Sequence, residues 1–152
     1  MGPYDVPDFD AIADALAARF APGQLTAPTG YLTIRVATAK TPNQLPPLPC
    51  VLVFPDSGTF TTGNGTRLGN HSFLVRFYYN QIGDMARDVE ACRDWLTVLA
   101  DQLRTSVQLG GTVSYCRLDT WKIGQLSYGG VDYSGIEFGV AIETAEGWAA
   151  TA

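Results

Sequence analysis

The stretch from His71 to Leu103, HSFLVRFYYNQIGDMARDVEACRDWLTVLADQL, decides the fold class. Its first part alternates: Phe73, Val75, Phe77 and Tyr79 are separated by Leu74, Arg76 and Tyr78. A period of two places one set on each side of a strand. Its second part changes period. Met85, Val89, Cys92, Leu96, Leu99 and Leu103 are separated by steps of four and three, the repeat of one helix face. The spacing predicts a helix of roughly 22 residues starting near Gly83-Asp84, with Trp95 and Val98 widening its buried side. Arg87 and Glu90 lie on its polar flank. A strand followed by a long amphipathic helix is half of an α+β domain, whose sheet is covered on one face by helices.

Working towards the N-terminus, Cys50 to Phe54 is wholly apolar and bounded by Pro49 and Pro55, which reads as a short strand buried on both faces. Thr41 to Pro49 holds four prolines and cannot enter a central strand. Leu32, Ile34 and Val36 alternate with Thr33, Arg35 and Ala37, the pattern of a half-buried strand. Phe9, Ile12, Leu16 and Phe20 form the stripe of a short helix, with Asp8 or Asp10 as its cap and Pro22-Gly23 as its stop. Between the two central strands, residues 55–70 contain four glycines, two asparagines and four threonines. This is expected to be a flexible loop, with Asn64-Gly65 as a turn signal.

Towards the C-terminus, strands are expected near Thr112 to Trp121 and Lys122 to Tyr128. A last one carries Ile136, Phe138, Val140 and Ile142 against Glu137, Gly139, Ala141 and Glu143. The expectation is a single α+β domain over residues 1–152: an antiparallel or mixed sheet packed against a long amphipathic helix and a short N-terminal helix. An acidic segment 1–8, the flexible glycine-rich loop 55–70 and a loose end at 146–152 complete it.

Composition narrows the function. The net charge of −5 argues against a surface that grips nucleic acid. Charged residues are only 16%, against about 25% in ordinary domains, while aromatics reach 11%. Such a surface is expected to be covered in part by protein partners. No apolar run approaches a membrane span. The opening residues MGPYDVPDFD have neither the basic nor the apolar region of a signal peptide, and Val6 breaks the myristoylation pattern. Cys50, Cys92 and Cys116 are too widely spaced for a disulfide framework and read as buried thiols of a reducing compartment.

Chemistry is sparse. The lone histidine, His71, reads as a surface or strand-end residue, although Cys50 or Cys116 meeting it in space would form a Cys–His pair. Gly63-x-Gly65-x-x-x-Gly69 departs from the dinucleotide spacing and leads into a strand. Asp84/Asp88 and Glu90/Asp94 are one helical turn apart, the pattern of a solvated helix face. No metal-ligand spacing occurs. No catalytic, metal or cofactor-binding residue is therefore expected, and no cofactor. Trp121, Tyr128, Tyr133 and Trp148 are read either as core or as interface anchors.

The short helix ending FAPG, the proline-flanked LPPLPCVLVFP with its glycine-rich sequel, the strand–helix unit quoted above and the closing YSGIEFGVAIETAEGW together cover roughly residues 8 to 148. In this order they resemble the tail terminator proteins of long-tailed bacteriophages. The resemblance implies a structural virion protein made in the bacterial host cytoplasm, and not an enzyme. It implies a homo-hexameric ring that caps the tail tube and meets the head–tail connector. DNA would pass through its channel without specific binding, and no membrane is involved. Another neck or head–tail connector protein would share this layout. A different class, a small cytoplasmic enzyme or ligand-binding domain, is the alternative. For the ring and tube contacts the reading selects Thr59, Phe60, Asn64, Arg67, Trp121, Tyr128 and Tyr133, with the segment Thr59–Asn70 loose until docked and Arg67 as its charged contact. The aspartates of the N-terminal segment either line a channel opening or cap the helix.

Overall fold

A computed structural model describes residues 4–5, 7–60, 65–105, 109, 113 and 115–148. The elements run β1 (Tyr4–Asp5), α1 (Phe9–Ala18), β2 (Val36–Thr38), β3 (Cys50–Thr59), β4 (Gly65–Gln81), α2 (Met85–Arg104), β5 (Tyr115–Tyr128) and β6 (Val131–Trp148). The fold is α+β. One six-stranded sheet has β6 beside β4, then β3, then β2 at the end, while β5 and the short β1 share the other side of β6. Among the described residues only the β2–β3 pair is parallel, so the sheet is mixed.

Both helices begin on an aspartate cap, predicted from the sequence for the first. The Asp8 carboxylate accepts from the Ala11 amide at 3.0 Å, and that of Asp84 from the Arg87 amide at 3.2 Å. Each satisfies a first-turn donor that has no partner within the helix. The two helices cover the same sheet face. Their buried side chains, Leu16, Phe20, Trp95 and Leu99 among them, meet Val51, Phe73, Phe77, Ile136 and Phe138 from the strands. Trp95 and Phe77 pack with ring centroids 4.9 Å apart. Burying each large apolar side chain of this kind stabilises by about 1.5–3 kcal/mol.

The buried stripe of α2 is rotated from the expected one. Its line is Asp88, Cys92, Trp95, Leu99 and Leu103, with Val89 and Leu96 half-buried at its flank. Steps of four and three fit both lines, and the bulk of Trp95 decides between them. Asp88 is consequently buried, not on a solvated face. Of the other acids assigned to that face, Asp84 is the cap and Asp94 accepts a 2.7 Å hydrogen bond from the Tyr31 hydroxyl.

The other sheet face carries a smaller cluster. Cys50, Leu52, Tyr78 and Leu126 are buried there, with Leu45, Leu48, Tyr128 and Tyr133 against them. Cys50–Val53 is therefore buried on both faces, as expected. The proline segment 41–49 crosses this face as a strap, and the Tyr128 hydroxyl donates to the Pro42 carbonyl.

Four expected boundaries move. The strand expected over Leu32–Ala37 shrinks to Val36–Thr38, and Leu32 is 71% exposed. In the parallel register Val36 faces Cys50, and the Arg35 amide reaches the Pro49 carbonyl at 2.9 Å. Further upstream the neighbour would be Pro46-Pro47, which offers no N–H, so the ladder stops.

The glycine-rich loop 55–70 is mostly sheet. β3 extends to Thr59 and β4 begins at Gly65, with Thr59 facing Asn70 and Gly65 facing Trp148 of β6. Ladder bonds, from β4 at Gly58 and from β6 at Gly65 and Gly69, outweigh the ~0.5–1 kcal/mol entropic cost of each glycine. Gly58 has a steric reason as well, since a Cβ there would lie 2.1 Å from His71 Nδ1. The segment 146–152, expected to be loose, likewise enters β6 as far as Trp148.

The two expected strands over 112–128 are one, β5, with a register shift between Leu118 and Thr120. Gly129 and Gly130, at φ +59° and +81°, form the two-residue turn into β6, where both positions need positive φ.

Candidate interaction surface

β5 hydrogen-bonds to β6 along one side only; among the described residues no strand pairs with its other side. Its register assigns each side chain a face. Cys116, Leu118, Trp121 and Ile123 sit opposite Ile142, Val140, Phe138 and Ile136, which belong to the main core. They therefore point to the helix-covered face. Arg117, Thr120 and Lys122 sit opposite Ala141, Gly139 and Glu137 on the other face. The register shift leaves Asp119 without an opposite residue, as in a β-bulge.

The helices cover this strand only in part. Trp121 is on the core-facing side yet 57% exposed: α2 packs on β5 as it does on β6, and Cys116 and Leu118 are covered, but Trp121 is left open. A cavity of about 450 Å³ opens here. It is lined by Arg104 from the last turn of α2, by the consecutive residues Tyr115 to Asp119, and by Trp121. Consecutive residues alternate between faces. A cavity touching all five therefore runs along the strand's open side, where unpaired N–H and C=O groups point outwards.

A second, smaller cavity of about 190 Å³ lies across the sheet on the β3 side, among Phe9, Phe60, His71 and the start of β3's outer half, Pro55 to Gly58. The His71 ring is edge-on to Phe9 at 5.0 Å and to Phe60 at 5.2 Å between centroids. His71 is 5% exposed, which corrects its reading as a surface residue. Pairing with Gly58 on one side and Ile142 on the other places it inside the sheet.

The structure separates the groups that a Cys–His pair would need. Ile142 lies between His71 and Cys116 in the same row of the sheet, so the two are two strand spacings apart, about 9.5 Å. Cys50 faces the opposite side, in the second cluster. Burial pushes the Cys50 and Cys92 thiols up to about 12 and Cys116 to about 11, away from the thiolate a nucleophile needs. Among the described residues no three metal-ligating side chains converge, and no helix is long and apolar enough to cross a membrane.

The residues selected from the sequence for contacts divide. Trp121 stands in the β5 groove. Thr59 and Phe60 are exposed at the end of β3, Phe60 in the histidine cluster. Asn64 lies outside the described residues. Arg67 is in β4 opposite Glu146, not in a loop. Tyr128 and Tyr133 pack edge-on against Tyr78, at 6.0 and 5.8 Å, inside the second cluster; they hold the sheet and strap together. Sequence reasoning passed over Arg104, Arg117 and Tyr115. The isolated charges Arg117, Asp119 and Lys122 along 115–128 are the signal that fits an edge strand. Neither a protein-family model nor a curated protein matches the chain.

Proposed function

We propose that the chain is a structural subunit of the tail end of a long-tailed phage, made in the host cytoplasm and carried in the virion. In this reading it is a tail terminator. Six copies close into a ring on the last ring of tube subunits, the head–tail connector docks above, and DNA passes through the channel without being gripped. The observation that carries the reading is the open side of β5: 14 residues of strand with a half-exposed tryptophan over them. A monomer that works alone covers or blunts such an edge, whereas an assembly subunit uses it. A ring also requires two different surfaces that meet head to tail around the axis. The resemblance in element order and the low charge of the surface support the same reading.

Solution mass over a range of concentrations, negative-stain images and mixing with purified tail tubes test it. Sixfold rings, or tube ends that become capped, are the expected results. A protein that stays monomeric and ignores tube ends overturns the reading. Binding to the head connector without affinity for tube ends reassigns it to another part of the neck.

A further inference from the structure

We infer that the open side of β5 accepts an extended acidic segment of another protein as an added strand, seated in the groove between Arg104 and Arg117. The partner's identification as the tail-tube subunit rests on the reading above; the chemistry of the groove does not. Three features of the groove define that chemistry. First, its floor is the unpaired backbone of β5, which recognises another extended chain through main-chain hydrogen bonds. Second, Arg104 and Arg117 are both exposed, from different elements, and both line the cavity. Among the described residues neither guanidinium has an ion-pair or hydrogen-bond partner. Two unpaired guanidinium forks beside a strand edge fit the carboxylates of an incoming strand. Third, Trp121 at one end and Tyr115 at the other give apolar surface for alternate side chains of that strand.

Asp119 refines the preference. At the register shift it is, among the described residues, the only acidic one lining the cavity, so an incoming carboxylate is disfavoured beside it and favoured beside the arginines. The groove therefore selects register as well as charge. The opposite end of the sheet has no such complement. β2 is short, and Arg35 and Lys40 beside it are exposed and basic, so pairing β5 with the β2 edge of a second copy would bring like charges together.

The probe is a capped heptapeptide of alternating Glu and Val, titrated calorimetrically into the full chain, with its Lys/Val counterpart and an oligothymidylate as controls. The acidic peptide should bind, and the basic peptide and the oligonucleotide should not. R104E/R117E should weaken binding about tenfold or more, the milder R104Q/R117Q less, and raised salt should act in the same direction. N-methylation at alternate peptide amides should abolish binding, since strand addition needs those donors.

An acidic peptide that fails to bind overturns the inference, as does one whose affinity ignores both the arginines and the N-methyl groups. Preferred binding of the oligonucleotide overturns it in favour of a nucleic-acid contact. A solution dimer that W121S dissolves, with no peptide binding, assigns the edge to a second copy instead. The two proposals fail separately. If the wild type caps tubes and R104E/R117E caps them equally, the groove inference falls while the tail-end reading stands. If the peptide binds as described and tubes are ignored, the reverse holds.

Discussion

The two ends of this sheet are built in opposite ways. At the β2 end the terminal strand has three residues, all half-buried. Prolines of the strap remove the donors that would extend its ladder, and the strap itself folds back across the sheet. At the β5 end the terminal strand has 14 residues and no proline, and it exposes Trp121 and Tyr115. Its guards are a bulge at Asp119 and single charges at Arg117 and Lys122. Proline and shortness exclude every added strand, whereas charges exclude only the wrong ones. The difference separates an edge that is closed from an edge that chooses.

The largest test of this contrast attacks the closed end. Tyr78 is fully buried in the second cluster, on which Leu45 and Leu48 of the strap rest. Tyr78→Ala should destabilise the fold by about 3–5 kcal/mol, through lost burial and the cavity left behind. Urea unfolding measures it. The strap 41–49 should also become cleavable by protease under native conditions, which uncovers the β2 end. A loss below about 1 kcal/mol would mean that the strap does not depend on this cluster.

The cysteines provide a second comparison. Cys116 belongs to β5 and lines its groove, whereas Cys92 lies under α2 and Cys50 under the strap. Burial holds Cys116 at about 11 and the others at about 12. Burial raises all three, but only Cys116 lines the open groove, so native-state alkylation should modify Cys116 first. Mass spectrometry of the labelled peptides reads the order, and equal rates would argue that the groove is closed. The same shifts set a pH dependence. The folded chain keeps its thiol protons beyond the ordinary value of about 9 at which the unfolded chain releases them. Stability is therefore intact below about pH 9 and falls as pH rises towards 11–12.

Tyr128→Phe should have a smaller effect, about 1 kcal/mol, because it removes one hydrogen bond to the Pro42 carbonyl and keeps the ring against Tyr78. Hydrogen exchange should rise in the strap and stay constant along β4 and α2. Unchanged exchange in the strap would remove Tyr128 as its anchor.

What the sequence revealed depends on where the information resides. The strand–helix unit 73–103 was legible because its periods of two and of three and four are local. Even there, Asp88 was misplaced, since the choice between two neighbouring helix stripes was made by packing Trp95 on Phe77. Residues 55–70 looked like a loop because glycine and asparagine are local signals, while much of the ladder that overrides them comes from β6, far along the chain, where Gly65 faces Trp148 and Asn70 faces Glu143. The aromatics were ambiguous for the same reason. Tyr128, Tyr133 and Trp121 are similar in kind, and only the register of β5 on β6 separates two core residues from one exposed residue. The groove was invisible because it is formed by the place where α2 ends and the sheet continues.

Trp121→Ser has the smallest expected effect on the isolated chain and is the sharpest test of the comparison. The side chain is 57% exposed, so most of its surface already faces water and its loss should change stability by no more than about 0.5 kcal/mol. A tryptophan that contributes so little to its own fold, on a strand with an unsatisfied side, is explained by what it contacts in an assembly. The same substitution should therefore abolish ring formation or tube capping while leaving the unfolding midpoint where it was. If W121S instead lowers stability by 2 kcal/mol or more, the residue is part of the core, the open edge is smaller than the structure shows, and the contrast between the two ends collapses.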